Sequence, residues 1–216
     1  MGTDSGITSI GSIVKKTIDL SDSRLENAEK IPRIEAISAI NLSKNLIAAI
    51  PSSLTYYSNL IKLDLSHNKI TTLANISNLP QLQGLNLSNN CLTSEAIQES
   101  KIDSLKQLTM LNLNNNQLTT FPLILTTLRG LTDLGLANNE LAELPQEITA
   151  LKNLKFLSIK NNKLEKLTTD FGLFPKIRGV SVAGNQFTLT SHQMDRLFSL
   201  MSTVHLEDSK IAIKQN

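Results

Sequence analysis

Large apolar residues recur along the chain at a regular spacing, with polar residues between them. Each copy follows the template L-x-x-L-x-L-x-x-N-x-L, in which isoleucine, valine or phenylalanine replaces some of the leucines. Seven copies begin at residues 37, 60, 82, 108, 131, 154 and 177. Self-similarity at such a period predicts a stacked array, in which each unit buries its apolar side against its neighbours.

The alternating centre of each copy predicts a short strand, because successive side chains of a strand point to opposite faces of a sheet. The central leucine would point into the core, and the residues on either side of it would point outward. Successive copies would add parallel strands about 4.8 Å apart. The predicted strands are residues 39–41, 62–64, 84–86, 110–112, 133–135, 156–158 and 179–181.

Two degenerate copies flank these seven. In residues 15–36, Lys15 takes the first apolar position and Ser23 replaces the asparagine; in residues 201–213, Ser209 replaces it. The end faces of an array meet water, so atypical terminal copies are expected. The sequence therefore predicts a nine-repeat domain over residues 15–213, an N-terminal extension over 1–14 and a tail over 214–216.

The asparagine of the template forms a column through the array. Its amide can both donate and accept hydrogen bonds, so stacked copies can pair with backbone groups of adjacent loops that would otherwise be buried without a partner. Losing one such amide should cost roughly 1–3 kcal/mol. The column consists of Asn45, Asn68, Asn90, Asn116, Asn139, Asn162 and Asn185.

The segments between strands predict short helices and loops. Pro51, Pro122 and Pro145 fix φ and suit a loop or the start of a helix. The copy that begins at residue 82 is longer, and helix-forming residues with spaced apolar positions predict an α-helix within its insert, residues 93–107. Apolar residues at helical spacing after Ser191 predict a capping helix over 191–201.

These copies resemble those of the leucine-rich repeat superfamily. Residues 141–151 look like the intracellular Ras-binding type of repeat, and residues 70–80 look more like the protein-phosphatase-regulator type. The resemblance implies an α/β fold, a right-handed solenoid shaped as a horseshoe or arc, with a parallel sheet on the concave side and short helices and loops on the convex side. It also implies a protein–protein interaction scaffold that binds its partner on the concave face.

Composition narrows the function. The chain has 21 basic and 19 acidic residues, and this balance argues against a dedicated nucleic-acid or membrane-surface binder. It has no apolar run long enough to span a membrane and no visible secretory signal. The single cysteine excludes an internal disulfide, and the Cys-rich end caps of extracellular relatives are absent, which favours the cytoplasm. No nucleotide-binding, metalloprotease, hydrolase or kinase motif occurs, so we expect a monomeric protein that is not an enzyme and needs no cofactor or metal.

A basic run over residues 152–178 follows an acidic segment, and adding one period places opposite charges side by side. Glu140 would pair with Lys163, and Glu143 with Lys166, as surface ion pairs worth about 0–1 kcal/mol each. Four further cations could steer an acidic partner: Lys155, Lys160, Lys176 and Arg178.

Most outward positions of the predicted sheet are small or polar, and Met110 and Phe156 are the exceptions. They would lie two strands apart, about 10 Å, with Asp133 between them. Glycines nearby leave space around them, which suggests a small anchor pocket. The other interpretation, that both side chains only cover neighbouring strands, has equal weight. The predicted partner site is Met110, Asp133 and Phe156, surrounded by Lys62, Asp64, Asn112, Ser158 and Lys160.

Two narrower roles stay open beside the general one. The family resemblance also allows a regulatory subunit of a phosphatase or small-GTPase pathway. The composition allows a bacterial effector that acts inside a host cell. The sequence does not distinguish them, because both would use the same kind of scaffold.

Overall fold

The computed structural model describes residues 16–27, 31, 37–166, 171–190, 204–205 and 212–214. Within them, nine parallel strands form one sheet whose spatial order is the chain order, and two further strands pair in parallel beside it. The strands are β1 (Lys16–Asp19), β2 (Ile37–Asn41), β3 (Lys62–Asp64), β4 (Gly84–Asn86), β5 (Met110–Asn112), β6 (Asp133–Gly135), β7 (Phe156–Ser158), β8 (Gly179–Ser181), β9 (Thr188–Thr190), β10 (Val204–His205) and β11 (Ala212–Lys214). The main sheet holds β1 to β8 and β10, whereas β9 pairs with β11.

The register of the sheet follows the repeat residue for residue. Met110 lies beside Asp133, and Asp133 lies beside Phe156 on the next strand. Every pair from β2 to β8 joins equivalent positions of the template in this way. The predicted strands, their parallel direction and their order are therefore confirmed, with β2 starting two residues earlier than predicted. The fold is the predicted α/β solenoid with an open parallel sheet.

The core lies between the sheet and the return segments. The central leucines of the strands, such as Leu111, Leu134 and Leu157, are 2% exposed, and most other template leucines are fully buried. Removing a side chain of this size from water contributes roughly 1.5–3 kcal/mol. Because every repeat adds the same set, the array has one continuous core.

Short helices return the chain on the convex side. The insert contains α1 (Ser94–Gln98), as predicted, and the Thr93 hydroxyl caps it by accepting the Ala96 N–H. Pro51, Pro122 and Pro145 each stand immediately before a 3₁₀ helix, as their fixed φ favours. These helices are Ser52–Tyr56, Leu123–Thr127 and Gln146–Ala150, and shorter ones cover Ile76–Asn78, Ile102–Ser104 and Phe171–Leu173. The capping helix predicted over 191–201 lies outside the described residues.

The template asparagines are buried, with exposed fractions of 2–8%, and their amides join adjacent repeats. Asn139 is representative. Its Nδ2 donates to the carbonyls of Leu136 in its own repeat and Leu113 in the preceding one, and its Oδ1 accepts the Leu118 N–H. These backbone groups have no strand partner, so the side chain satisfies atoms that burial would otherwise leave unpaired.

A second column stands immediately before these asparagines, and its residues have a positive φ. The column contains Lys44, His67, Asn89, Asn115, Asn138, Asn161 and Gly184, with φ between 52° and 71°. Asparagine and glycine tolerate this left-handed conformation better than other residues do. This column was not predicted from the sequence, although it accounts for part of the 21 asparagines in the chain.

Candidate functional site on the concave face

The outward side chains of the main sheet surround a cavity of about 810 Å³ on the concave face. Seven of the eight predicted site residues line it: Lys62, Asp64, Met110, Asn112, Asp133, Phe156 and Ser158. Lys160 does not, because it lies two residues beyond the end of β7, where the chain has left the sheet. The structure thus brings together all predicted residues that stand on strands.

Met110 and Phe156 form the apolar part of this surface. Their exposed fractions are 52% and 49%, unlike the buried leucines between which they stand. The Phe156 ring leans toward β8, where its Cδ1 would lie 3.3 Å from a Cβ placed on Gly179. The ring therefore covers part of the neighbouring strand and still presents half of its surface. The interpretation that Phe156 covers a neighbouring strand is thus supported in part, and its role as an anchor for a partner stays a prediction.

Asp133 lies between these two apolar residues and is half-buried. Its Oδ2 accepts a hydrogen bond from the Thr132 hydroxyl, whose single proton is shared with the Thr109 carbonyl. Within the described residues no cation forms an ion pair with Asp133. The carboxylate therefore keeps most of its hydrogen-bonding capacity for another molecule.

In the first five strands, the outward residue after the central apolar residue differs from Asp133 because its side chain accepts a backbone N–H of its own loop. Asp64 is typical: its Oδ1 accepts the Ser66 N–H at 2.8 Å, and its Oδ2 accepts from Asn86 Nδ2 at 3.1 Å. An Asp or Asn side chain that accepts the N–H two residues later closes an Asx turn. The residues that do so are Asp19, Asn41, Asp64, Asn86 and Asn112. Much of the polar surface in this half of the cavity is occupied by internal hydrogen bonds.

At β6 the turn is closed from the neighbouring repeat. Gly135 has no side chain, and the N–H of Ala137 donates instead to Asn114 Oδ1 at 2.7 Å. A Cβ on Gly135 would lie 2.8 Å from Asn114 Oδ1 and 2.9 Å from Asn112 Oδ1, closer than such atoms normally approach. The glycine is therefore required for the Asn114 side chain to reach Ala137.

The Asx turns also affect ionisation at the first strand. The backbone N–H of Ser21 and then its hydroxyl donate to Asp19 Oδ1, at 2.9 and 2.7 Å, and they hold the pKa of this carboxyl below its ordinary value. Hydrogen bonds to a carboxylate favour its charged form. Asp19 is thus an anion held in a turn.

One of the two predicted ion pairs is present. Lys163 Nζ lies 2.6 Å from Glu140 Oε2, and both side chains are about half exposed or more. The prediction for Glu143 and Lys166 is wrong: both are exposed, and they form no ion pair. The two residues occupy the same column of adjacent repeats, but two long, hydrated side chains gain too little from pairing to be fixed in one geometry.

Three other cationic side chains, those of Arg129, Lys152 and Lys176, form hydrogen bonds between repeats. Arg129 donates to the Ala150 carbonyl at 2.7 Å, and Lys152 donates to the Leu173 carbonyl at 3.1 Å. Each of these carbonyls ends a 3₁₀ helix of the next repeat, where a cation is favoured by the helix dipole. Lys176 donates to Asn153 Oδ1 at 2.7 Å, so its ammonium group is not the uncommitted cation that the sequence suggested.

The described residues contain no group of three or more His, Cys, Asp or Glu that could hold a metal ion. In the same part of the chain, none of the helices has both the length and the apolar character needed to span a membrane. The concave face itself combines two large apolar side chains, two carboxylates, one lysine and several amides on one sheet. Such a surface can bind a ligand by shape, apolar contact and charge.

Comparisons with known proteins agree with this architecture. A family model described as Leucine rich repeat matches residues 35–92, and a second model of the same description matches residues 107–128. The solved structure of a leucine-rich repeat protein of Leptospira interrogans is 27% identical, with a TM-score of 0.76, and the match covers 89% of this chain and 49% of that one. This chain thus spans about half the length of the Leptospira protein. No curated protein matches the sequence.

Two further solved structures are similar. Internalin C2 of Listeria monocytogenes is 22% identical with a TM-score of 0.72, over 88% of this chain and 80% of that one. A plant peptide hormone receptor, RGFR1 in complex with RGF2, is 23% identical with a TM-score of 0.64, over 92% of this chain and 31% of that one. At these identities the likeness shows the fold alone.

The periodic core, the asparagine column and the parallel sheet define a leucine-rich repeat solenoid. With the matches above, the chain belongs to the leucine-rich repeat superfamily. The assignment to Ras-binding and phosphatase-regulator types of repeat stays a prediction.

Proposed function

We propose that this protein is a non-enzymatic interaction module that binds a protein partner on its concave face. Met110, Asp133 and Phe156 form the centre of the proposed site. Lys62, Asp64, Asn112, Ser158 and Lys160 surround them. One observation carries the proposal: a cavity of about 810 Å³ contains two large apolar side chains, each about half exposed, on strands that hold them in place.

Two physical arguments support this centre. Large apolar residues at the middle of a concave surface are the usual anchors of protein interfaces, where a few residues carry most of the binding energy. The strands below them belong to one continuous sheet, so binding does not first have to order the backbone that carries these side chains. Leucine-rich repeat proteins commonly bind proteins, and RGFR1 was solved in complex with RGF2.

The test uses two large apolar residues of similar exposure on opposite sides of the molecule. The immobilised chain would capture its partner from extracts of the source cells and, separately, of host cells, and mass spectrometry would identify it. Affinity would then be measured for Phe156→Ala and for Leu123→Ala, since Leu123 is 48% exposed on the convex side. We expect Phe156→Ala to weaken binding by about 2 kcal/mol or more, roughly 30-fold, and Leu123→Ala to leave it unchanged.

Thermal unfolding of the same two variants is the control. Because Phe156 points outward, its removal should change the melting temperature little. A partner lost with Leu123→Ala and kept with Phe156→Ala would place the interface on the convex side and contradict the proposal. A large drop in melting temperature for Phe156→Ala, without a specific loss of affinity, would show that the ring serves packing.

The narrower roles implied earlier, a regulatory subunit of a phosphatase or small-GTPase pathway and a bacterial effector, would both use this face. The identity of the captured partner distinguishes them. A phosphatase or small GTPase supports the first role, and a host protein supports the second.

A further inference from the structure

The floor of the site carries an unneutralised charge. Asp133 is half-buried between Met110 and Phe156, and within the described residues it has no ion-pair partner. Lys62 also lines the cavity, but it stands on β3, three strands from β6. Three strand spacings are about 14 Å, which exceeds the screening length of about 8 Å at physiological salt. Lys155, just before β7, does not form an ion pair with Asp133 either.

A partner that covers Met110 and Phe156 must also cover this carboxylate. Removing a charged group from water costs several kcal/mol unless an opposite charge or hydrogen-bond donors replace the water. An apolar partner surface would therefore lose at Asp133 much of what it gains at the two apolar residues. The part of the partner that enters between them must donate hydrogen bonds.

Further along β6 the surface again presents acceptors. Asn112 Oδ1 and Asn114 Oδ1 both approach the open position above Gly135, two residues beyond Asp133. Each accepts a backbone N–H, and a carbonyl oxygen has a second lone pair. The strand thus presents a carboxylate at one end and amide oxygens at the other, which favours a ligand group with several donors.

Met110 and Phe156 form the two walls of a cleft above Asp133, and these walls select among cationic groups. Their backbones are two strands apart, about 10 Å, which leaves room for one planar group in contact with both. The Phe156 ring leans away from Asp133 over Gly179, so the space above the carboxylate stays open. A guanidinium is planar, stacks on aromatic rings and offers a fork of donors to a carboxylate, whereas an ammonium is a compact and strongly hydrated charge.

We propose that the cleft between Met110 and Phe156 binds an arginine side chain of the protein partner. The guanidinium donates to Asp133 and stacks against Phe156, and its methylene groups pack against Met110. This inference rests on the proposed function and specifies the chemistry of the partner at the centre of the interface.

The experiment uses the whole chain with ¹³C-methyl-labelled methionine, and Met110→Leu assigns the Met110 signal. The probe is Nα-acetyl-arginine amide, and the control is Nα-acetyl-citrulline amide, which has nearly the same shape without the charge. We expect a saturable shift of the Met110 methyl signal with the arginine probe at millimolar concentration, and binding at least ~5-fold weaker for the citrulline probe, a difference of about 1 kcal/mol.

Two isosteric variants locate the charge that is responsible. Asp133→Asn should abolish the difference between the two probes. Glu143→Gln should preserve it, because Glu143 is an exposed carboxylate that does not line the cavity. Thermal unfolding confirms that both variants fold. Equal effects of the two variants would overturn the assignment to Asp133, and equal binding of Nα-acetyl-lysine amide would overturn the choice of arginine.

Failure of this inference can be told apart from failure of the proposed function. A captured partner whose affinity depends on Phe156, combined with no shift from the arginine probe, would refute the arginine site and leave the interface in place. Specific binding of the arginine probe, combined with a partner that does not depend on Phe156, would refute the interface instead.

Discussion

The two halves of the concave sheet use their outward polar residues differently. From β1 to β5, the residue after the central leucine is always aspartate or asparagine, and its side chain closes a turn by accepting a backbone N–H. From β6 to β8, the same position holds Gly135, Ser158 and Ser181. The first half thus stabilises its own loops, whereas the second half leaves the face open around Asp133 and Phe156.

The difference shows that exposure and charge do not by themselves identify a binding residue. Asp64 and Asp133 are both half-buried carboxylates that line the same cavity. Asp64 accepts a backbone N–H and a side-chain amide, and Asp133 accepts only the hydroxyl of the preceding residue. The hydrogen-bond partners show that Asp64 stabilises its own turn and that Asp133 keeps more of its acceptor capacity, and the proposed role of Asp133 in recognition rests on this difference.

The largest expected effect is a loss of stability in variants of the asparagine column, which both halves of the sheet share. Asn90 belongs to the first half and Asn139 to the second, and each joins the same three kinds of backbone group. Asn90→Ala and Asn139→Ala should each lower the free energy of unfolding by about 2–3 kcal/mol, because buried N–H and C=O groups lose their partners. Urea denaturation followed by circular dichroism measures this loss.

Gln117→Ala is the control for these variants, since Gln117 is exposed and stands beside the column residue Asn116. It should change stability by less than about 0.5 kcal/mol. A loss confined to one of the two asparagines would show that the halves also differ in their cores.

A smaller effect is expected where the halves meet. Gly135→Ala places a methyl group against Asn114 Oδ1 and forces that side chain to release the Ala137 N–H, so we expect a loss of roughly 1–3 kcal/mol in unfolding free energy. Gly84→Ala is the matched control. Its methyl group would lie 3.6 Å from Lys62 Cγ, an ordinary contact, and stability should change by less than about 0.5 kcal/mol. Equal stability of the two variants would show that Asn114 can move without losing its bond.

Much of the fold could be predicted from the sequence because one period determines several properties together. The spacing of the leucines decides which side chains point inward, and the offset between successive copies decides which residues are neighbours on adjacent strands. The neighbours Met110, Asp133 and Phe156 follow directly from this offset. The pairing of β9 with β11 was not predicted, because residues 188–190 and 212–214 lie outside the strand positions of the template.

The features that could not be predicted from the sequence depend on side-chain conformation, which the period of the repeat does not determine. Glu143 and Lys166 occupy the same column of adjacent repeats without pairing, because rotamers of exposed side chains are chosen by small energies. The Asx turns did leave a signal in the sequence: Asp64-Leu65-Ser66 and Asn86-Leu87-Ser88 repeat a motif in which the first side chain can reach the third N–H. Gly135 stands in place of the aspartate or asparagine of this motif, and it marks the point where the outward side chains cease to close Asx turns.

The smallest expected effect separates the two carboxylates themselves. Asp64→Ala removes the acceptor of the Ser66 N–H and of Asn86 Nδ2, so it should lower the free energy of unfolding by about 1 kcal/mol. Asp133→Ala removes only a bond from the Thr132 hydroxyl, which keeps the Thr109 carbonyl as a partner, and stability should stay within about 0.5 kcal/mol. Urea denaturation of the two variants side by side measures the difference. If Asp133→Ala proves the more destabilising, Asp133 supports the sheet, and the division between a self-stabilised half and an open half does not hold.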